Sequence, residues 1–253
     1  MQRYFVNKEQ ISEQTITLLA DDAKHIQKVM RMNPGDRLIC ADNEGNVYLC
    51  EIQSLESDCI TAVIKKQLEE NAELPIHVTI VQGLPKGDKL EFIVQKGTEC
   101  GARAFIPLKA ERSISKWAVN KVDKKLSRLK KIAKEAAEQS HRTYIPEIGR
   151  PVSIDQLIKM SDHYHKKIVA YEETAKAGEQ HALPKILNEI KANERLIAVI
   201  GPEGGFSPEE VQKLEQAGFT SCGLGNRILR TETAPLYVLS AASYHFELLK
   251  RGE

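Results

Sequence analysis

An α/β architecture in two parts is what this chain predicts: a small β-rich segment over residues 1–72, then a larger domain of alternating strands and helices over 73–253. Three observations carry that reading. Short apolar runs separated by turn residues fill the first part, the pattern of short strands. From residue 76 onward, apolar runs of strand length alternate with amphipathic stretches of helix length, as in a parallel sheet covered on both faces. Between the two lies the polar stretch 68–74, which ends at Pro75 and reads as a linker.

In the first part, RLICADNEGNVYLCEI (37–52) places two apolar runs around Asn43-Glu44-Gly45-Asn46, a hairpin signal, and ITAVIKK continues as a further strand. One helix interrupts the strands: Asp21 or Asp22 caps 23–32, and Asn33-Pro34-Gly35-Asp36 stops it. The second part opens with the buried-type strand HVTIVQGL, followed by an amphipathic helix over 88–100 that ends at Gly101. Next come the strand AFIPL, a long helix over 119–140, the strand KKIVAYEE and a helix over 183–192. RLIAVIG is a strand, 208–217 a helix closed by Gly218, SCGLG a short strand, and 233–249 a final, largely apolar helix.

Composition narrows the function classes. With 42% hydrophobic and 28% charged residues, the chain is neither fibrous nor disordered. It has no apolar run long enough for a membrane helix and no signal-peptide pattern at its start, so a cytoplasmic protein without membrane attachment is expected. The five cysteines are scattered, without a C-x-x-C pair, and the seven histidines have no metal-ligand spacing; neither disulfides nor a metal site is expected. The net charge of +1 conceals a block over 109–134 with ten basic side chains against two acidic ones. Such a local patch attracts polyanions.

Two glycine-bearing loops follow strands of the second part: Ile200-Gly201-Pro202-Glu203-Gly204-Gly205-Phe206-Ser207, and 224–234, which runs LGNRILRTETA. In open α/β sheets ligands lie beyond the carboxyl ends of strands, where both loops would sit. Glycine there either lets backbone approach a ligand or simply makes a tight turn. A phosphate-binding P-loop is excluded because Phe206-Ser207 follows Gly205 where Lys-Ser/Thr is needed. A dinucleotide fingerprint is excluded because Ile228 stands where its last glycine would be.

These paired loops, IGPEGGFSPEE and LGNRILRTETA, resemble the signature of the SPOUT methyltransferases, and within them the ribosomal RNA small subunit methyltransferase E family. The resemblance spans nearly the whole chain. It includes His25, Val29, Arg31 and Gly35-Asp36, then Lys86, Lys89, Glu91, Gln95-Lys96, Thr98-Glu99 and Gly101. It continues through Arg112-Ser113, Glu135-Ala136-Ala137-Glu138-Gln139-Ser140 and Arg142, with Cys100 as a soft departure where the family usually has an apolar residue. It implies a PUA-like β-barrel RNA-binding domain and a C-terminal α/β-knot domain whose chain forms a deep trefoil knot. It also implies a homodimer that methylates N3 of a uridine in 16S ribosomal RNA, with S-adenosyl-L-methionine held in the knot. On this sequence the cofactor residues would be Tyr171, Glu172, Ile200, Gly201, Pro202, Glu203, Gly204, Gly205, Leu224, Gly225, Ile228, Leu229, Thr233 and Ala234.

The chemistry sets further expectations. Uridine N3 carries a proton at neutral pH, so the enzyme must stabilise an imide anion in line with the methyl group. Arg230 and Arg227 are the candidates for that work, with Arg142 and Glu138 next; the alternative for each arginine is a surface salt bridge. Glu203 is either the base or a cap of the following helix. RNA contacts are expected from His25, Arg31, Arg112, Lys116, Lys124, Lys125, Arg128 and Arg142. Trp117, the single tryptophan, either stacks on a base or packs against the sheet. Other readings are a 2′-O-ribose methyltransferase of the same superfamily, a non-enzymatic ribosome-assembly factor and a nucleotide-dependent oxidoreductase.

Overall fold

The computed structural model describes residues 1–249 and divides the chain into two compact units. The first comprises Met1–Glu73 together with Lys134–Ile145; the second comprises Leu74–Ala133 and the chain from Pro146 onward. The return of 134–145 to the first unit is absent from the simple division at 72/73.

The first unit is a five-stranded sheet built from β1 (Arg3–Phe5), β2 (Thr15–Leu19), β3 (Arg37–Ala41), β4 (Val47–Leu55) and β5 (Cys59–Leu68) in the order β1-β3-β4-β5-β2. Only β1 and β3 run parallel. The hairpin expected around Asn43-Glu44-Gly45-Asn46 joins β3 to β4; Asn43 and Gly45 both adopt positive φ there. Register shifts between β4 and β5 bend the sheet. Since β1 and β2 remain edges, it is an open sheet rather than a closed barrel. Alternate residues of β2, β3, β4 and β5 point into one core, where Ile16, Leu18, Leu38, Cys40, Ile52 and Ile60 meet Tyr4 and Ile26.

The helix of this unit, α1 (Ala20–Lys24), starts earlier than the aspartates imply: Leu19 is its N-cap, so Asp21 and Asp22 lie in the first turn, where they favour the dipole instead of capping it. It continues as a π-helical turn over His25–Val29 and stops before Arg31, whose φ of 52° breaks the helix.

The second unit is a six-stranded, wholly parallel sheet: β6 (His77–Gly83), β7 (Ala104–Leu108), β8 (Glu147–Ile148), β9 (Lys166–Ala170), β10 (Arg195–Ile200) and β11 (Thr220–Cys222), ordered β11-β9-β10-β6-β7-β8. Its helices are α2 (Lys89–Glu99), α3 (Val122–Gln139), α4 (Ile154–Met160), α5 (Glu172–Lys176), α6 (Ala182–Glu189), α7 (Pro208–Gln216) and α8 (Ala234–Ser243), the last running on as a π-helical turn over Tyr244–Leu249. α3 passes from the second unit into the first at Lys134. The strand expected to run through Tyr171-Glu172-Glu173 stops at Ala170, and Glu172 opens α5. The sequence reading left out β8, which is two residues long, and α4, although Ser153 and Gln156 form a capping box at its start. The chain steps outward from β6 to β7 and β8, then crosses to the other side of β6 with β9, and β10 fills the place between β9 and β6. That reversal puts a topological switch point between β6 and β10, where open α/β sheets bind ligands.

Candidate active site

The carboxyl ends of β9, β10 and β11 open into a cleft of about 590 Å³, a size typical of small-molecule sites. It lies wholly within the second unit. Of the expected cofactor residues, Tyr171, Glu172, Ile200, Gly201, Pro202, Glu203, Gly204, Gly205, Leu224, Gly225, Ile228, Leu229 and Ala234 line it, as do Arg227, Arg230 and Arg112. Thr233 does not. It is the N-cap residue of α8, its backbone engaged with Arg230 and Tyr237.

Backbone crowding explains the glycines. A Cβ on Gly83, at the end of β6, would lie 2.5 Å from Pro202, so only glycine lets the two loops cross at the switch point. At Gly201 a Cβ would stand 3.2 Å from the Gly205 Cα, and Gly225 has a φ of 87°, which side chains rarely adopt. Beneath the loops, buried Gln82 donates from Nε2 to the Thr231 hydroxyl (2.8 Å) and the Gly83 carbonyl (3.0 Å), while Thr231 donates to the Gly201 carbonyl (2.7 Å). The ends of β6 and β10 and the loop after β11 are thereby joined by one polar network.

At the cleft wall, Lys89 bridges Glu203 (3.0 Å) and Glu232 (3.2 Å). The two carboxylates raise its pKa. Glu203 also accepts from the Lys86 amide at 3.1 Å. Burial pushes the Glu203 carboxyl up, but its own amide, the Lys86 amide and Lys89 outweigh this and hold it below the usual carboxylate value. Glu203 thus anchors the Lys86 amide and Lys89 at the cleft wall. It does not cap α7: Ser207 does, accepting from the Glu210 amide. Buried Glu210 accepts from the Ser207 and Glu111 amides (3.0 and 2.8 Å), which fixes the backbone beside Arg112.

A further carboxylate lies in the segment before α6. Glu179 accepts from the His181, Ala182 and Gly223 amides at 2.7, 2.6 and 3.0 Å. Burial alone would raise its carboxyl, but these bonds lower it. Cys222 lines the cleft, with its thiol pushed up to about 12, chiefly by burial. It stays protonated at neutral pH and is no nucleophile. Among the described residues no group of three or more His, Cys, Asp or Glu is disposed to hold a metal.

The arginines separate. Arg227 and Arg230 are exposed in the cleft, and neither guanidinium has a hydrogen bond or ion pair among the described residues. Arg142 is in the first unit, 2% exposed, and its guanidinium binds Glu73, which also accepts from the Thr143 amide at 2.9 Å. Buried and ion-paired with Glu73, it is not among the cleft residues. Glu138, also in the first unit, is drawn up to about 7 by burial, against Lys134 and with Asp22 adding to the rise.

Of the remaining RNA candidates, His25 and Arg31 lie in the first unit, His25 bonded through Nδ1 to the Tyr4 hydroxyl at 3.0 Å. Lys116, Lys124 and Lys125 are exposed in the second. Arg128 is exposed but paired with Glu91 at 2.7 Å. Sequence reasoning missed Lys89, Ala170, Glu173, Lys176, Phe206, Cys222, Asn226 and Thr231 among the cleft residues. Lys89, Phe206, Asn226 and Thr231 lie inside the motifs already quoted, whereas Gln82 and Glu179, which act from outside the lining, carry no local signal.

Comparison with known proteins bears on this cleft directly. A model described as the RNA methyltransferase domain matches residues 72–243, and one described as the RNA methyltransferase PUA domain matches 18–65. The chain is 49% identical to the ribosomal RNA small subunit methyltransferase E of Bacillus subtilis (strain 168), over 99% of each chain.

The chain belongs to the ribosomal RNA small subunit methyltransferase E family.

A member of the family from Synechocystis is 34% identical over 94% of this chain and 76% of its own. Another, from Neisseria gonorrhoeae, has a crystal structure bound to S-adenosyl methionine. It is 29% identical, has a TM-score of 0.83, and covers 96% of this chain and 97% of its own. Within the family the first unit is PUA-like, a curled half-barrel sheet.

Proposed function

We propose that this protein transfers a methyl group from S-adenosyl-L-methionine to N3 of a uridine in 16S ribosomal RNA. The observation that carries the reading is the cleft at the ends of β9, β10 and β11, assembled from the family's two glycine loops in a chain 49% identical to a full-length relative of that name. The cleft fits the cofactor: Ile200, Leu224, Ile228, Leu229 and Ala234 offer an apolar seat for an adenine, and the loops offer backbone groups without a phosphate clamp. The chain path from β10 through α8 is read as the deep trefoil knot that the family resemblance implies.

When bound, S-adenosyl-L-methionine supplies a methyl group on a positively charged sulfur, an electrophile that requires no metal. Arg230 and Arg227 stabilise the uridine imide anion as N3 gives its proton to solvent water and attacks the methyl carbon, since each presents an unpaired guanidinium to the cleft. Glu203 holds Lys89 and the Lys86 amide, which keeps the wall of the cleft in place rather than removing the proton. Arg112, beside Gly204, clamps a phosphate at the cleft mouth. Lys116, Lys124 and Lys125 contact RNA backbone, and His25 and Arg31 do so from the first unit. Tyr237, Tyr244, Leu248 and Leu249 leave an exposed apolar strip on the last helix, and a second copy of the chain covers it in a homodimer. The site of action is the cytoplasm; no helix among the described residues is long and apolar enough to cross a membrane.

Nucleoside mass spectrometry of small-subunit RNA from cells lacking the protein tests the reading. Loss of N3-methyluridine, restored by the purified protein with the cofactor, is the expected result. Loss of a 2′-O-methyl nucleoside would redirect the chemistry to ribose, and an unchanged nucleoside profile would leave a non-enzymatic assembly factor.

A further inference from the structure

We propose that Trp117 and Lys125 form a nucleotide-stacking subsite for single-stranded RNA, a proposal that rests on the RNA methyltransferase reading above. Trp117 is the single tryptophan of the chain and stands half-buried in the stretch between β7 and α3. A core tryptophan hides its ring and satisfies its indole N–H. Here the N–H has no partner among the described residues, and the residue is only half-buried. The Lys125 ammonium sits 5.1 Å from the ring centroid, a cation–π distance. Around this pair the surface is both apolar and cationic. Ile114 is 64% and Val119 90% exposed, while Lys116, Lys121 and Lys124 are exposed and have no ion pair among the described residues.

An aromatic face set among free cations is what unpaired nucleotides need: the ring takes the base whatever its identity, and the ammonium groups take the phosphates. Double-stranded RNA hides its base faces and has no use for such a platform. The location suits the substrate. Arg112 lines the cleft and lies five residues before Trp117, so chain length keeps the two within about 18 Å. A strand whose target base enters the cleft can therefore lay a neighbouring nucleotide on Trp117.

Because there is one tryptophan, its emission reports on this subsite alone. The full-length protein is titrated with a single-stranded oligouridylate and with duplex RNA of equal length. Tryptophan emission and the anisotropy of end-labelled RNA are followed together. Quenching that tracks single-strand binding, with no quenching by duplex, is expected. Trp117→Ala should weaken oligouridylate binding roughly five- to a hundredfold, and Trp117→Phe, which keeps a ring, should recover most of it. With small ribosomal subunits as substrate, Trp117→Ala should raise KM and leave kcat in place. Single-stranded RNA that binds without changing the emission would overturn the subsite and leave the methyltransferase reading intact. So would wild-type affinity in Trp117→Ala. Failure to bind any RNA would overturn both.

Discussion

Arg230 and Arg142 differ in environment more than any sequence pattern reveals. Arg230 has no partner in the cleft, so its charge is available to an anion that forms only during reaction. Arg230→Ala should keep cofactor affinity within a few-fold while the single-turnover rate falls roughly a hundredfold or more, as when an oxyanion-hole donor is lost. Arg230→Lys should recover little, because a point charge does not reproduce the planar fork. Raising the pH should partly rescue the alanine variant, since solvent then helps remove the N3 proton. A variant with a normal single-turnover rate and poor RNA affinity would make Arg230 a phosphate anchor. Arg142 is the opposite case. Its guanidinium neutralises Glu73 in a buried pair, so Arg142→Ala should cost about 3–5 kcal/mol of stability by stranding that carboxylate. Thermal unfolding of the purified variant measures it.

At the same scale, Glu138 gives a pH dependence. Its folded pKa, raised from 4.5 to about 7 mainly by burial, means that the folded protein holds this proton where the unfolded chain has released it. Its contribution is therefore fully present below about 4.5 and lost as the pH rises through about 7. Glu138→Gln, which keeps an uncharged side chain there, should raise Tm most at pH above about 7 and least near 4.5. A Tm difference independent of pH would remove Glu138 from the account.

Among the elements, α3 differs from its sequence reading, while the two glycine loops line the cleft. The ten basic residues of 109–134 are not ten free charges: Arg128 is matched by Glu91, and Lys134 by Asp22 at 2.6 Å. Lys124→Glu with Lys125→Glu should weaken RNA binding and reduce its salt slope by about one per lysine removed, whereas Arg128→Ala should change the slope less. Equal slopes for all three would return α3 to an ordinary solvated face. In the loops, Gly225→Val forces a side chain into a φ of 87°, and Gly201→Val drives one against the Gly205 backbone. Both variants should fold, as far-ultraviolet circular dichroism will report, and lose cofactor binding in calorimetry. Unchanged affinity in both would move the cofactor out of this cleft.

For the whole molecule, the exposed strip of Tyr237, Tyr244, Leu248 and Leu249 is the feature that one chain leaves uncovered. Tyr237→Asp with Tyr244→Asp should convert a dimer to monomers in sedimentation velocity and lower methyl transfer with it. A wild-type protein that sediments as a monomer would discard the dimer.

The sequence by itself determined the alternation of strand and helix from residue 76, the hairpin at Asn43-Glu44-Gly45-Asn46, the glycine loops and the basic block, because each depends on periodicity or on residues within one turn of one another. It also carried the family resemblance, since IGPEGGFSPEE and LGNRILRTETA are contiguous motifs. Only the tertiary structure decided which charges are free and which are matched. Arg142 meets Glu73 across 69 residues, Lys89 meets Glu203 across 114, and Gln82 meets Thr231 across 149. Such pairings follow from how the chain folds back on itself, and no local pattern encodes them. The same reason hid Glu179, whose carboxylate reaches the Gly223 amide 44 residues away. Solvation and long-range partners set the charge a side chain offers to a substrate, so the open guanidinium of Arg230 and the matched one of Arg142 separate only once the chain has folded.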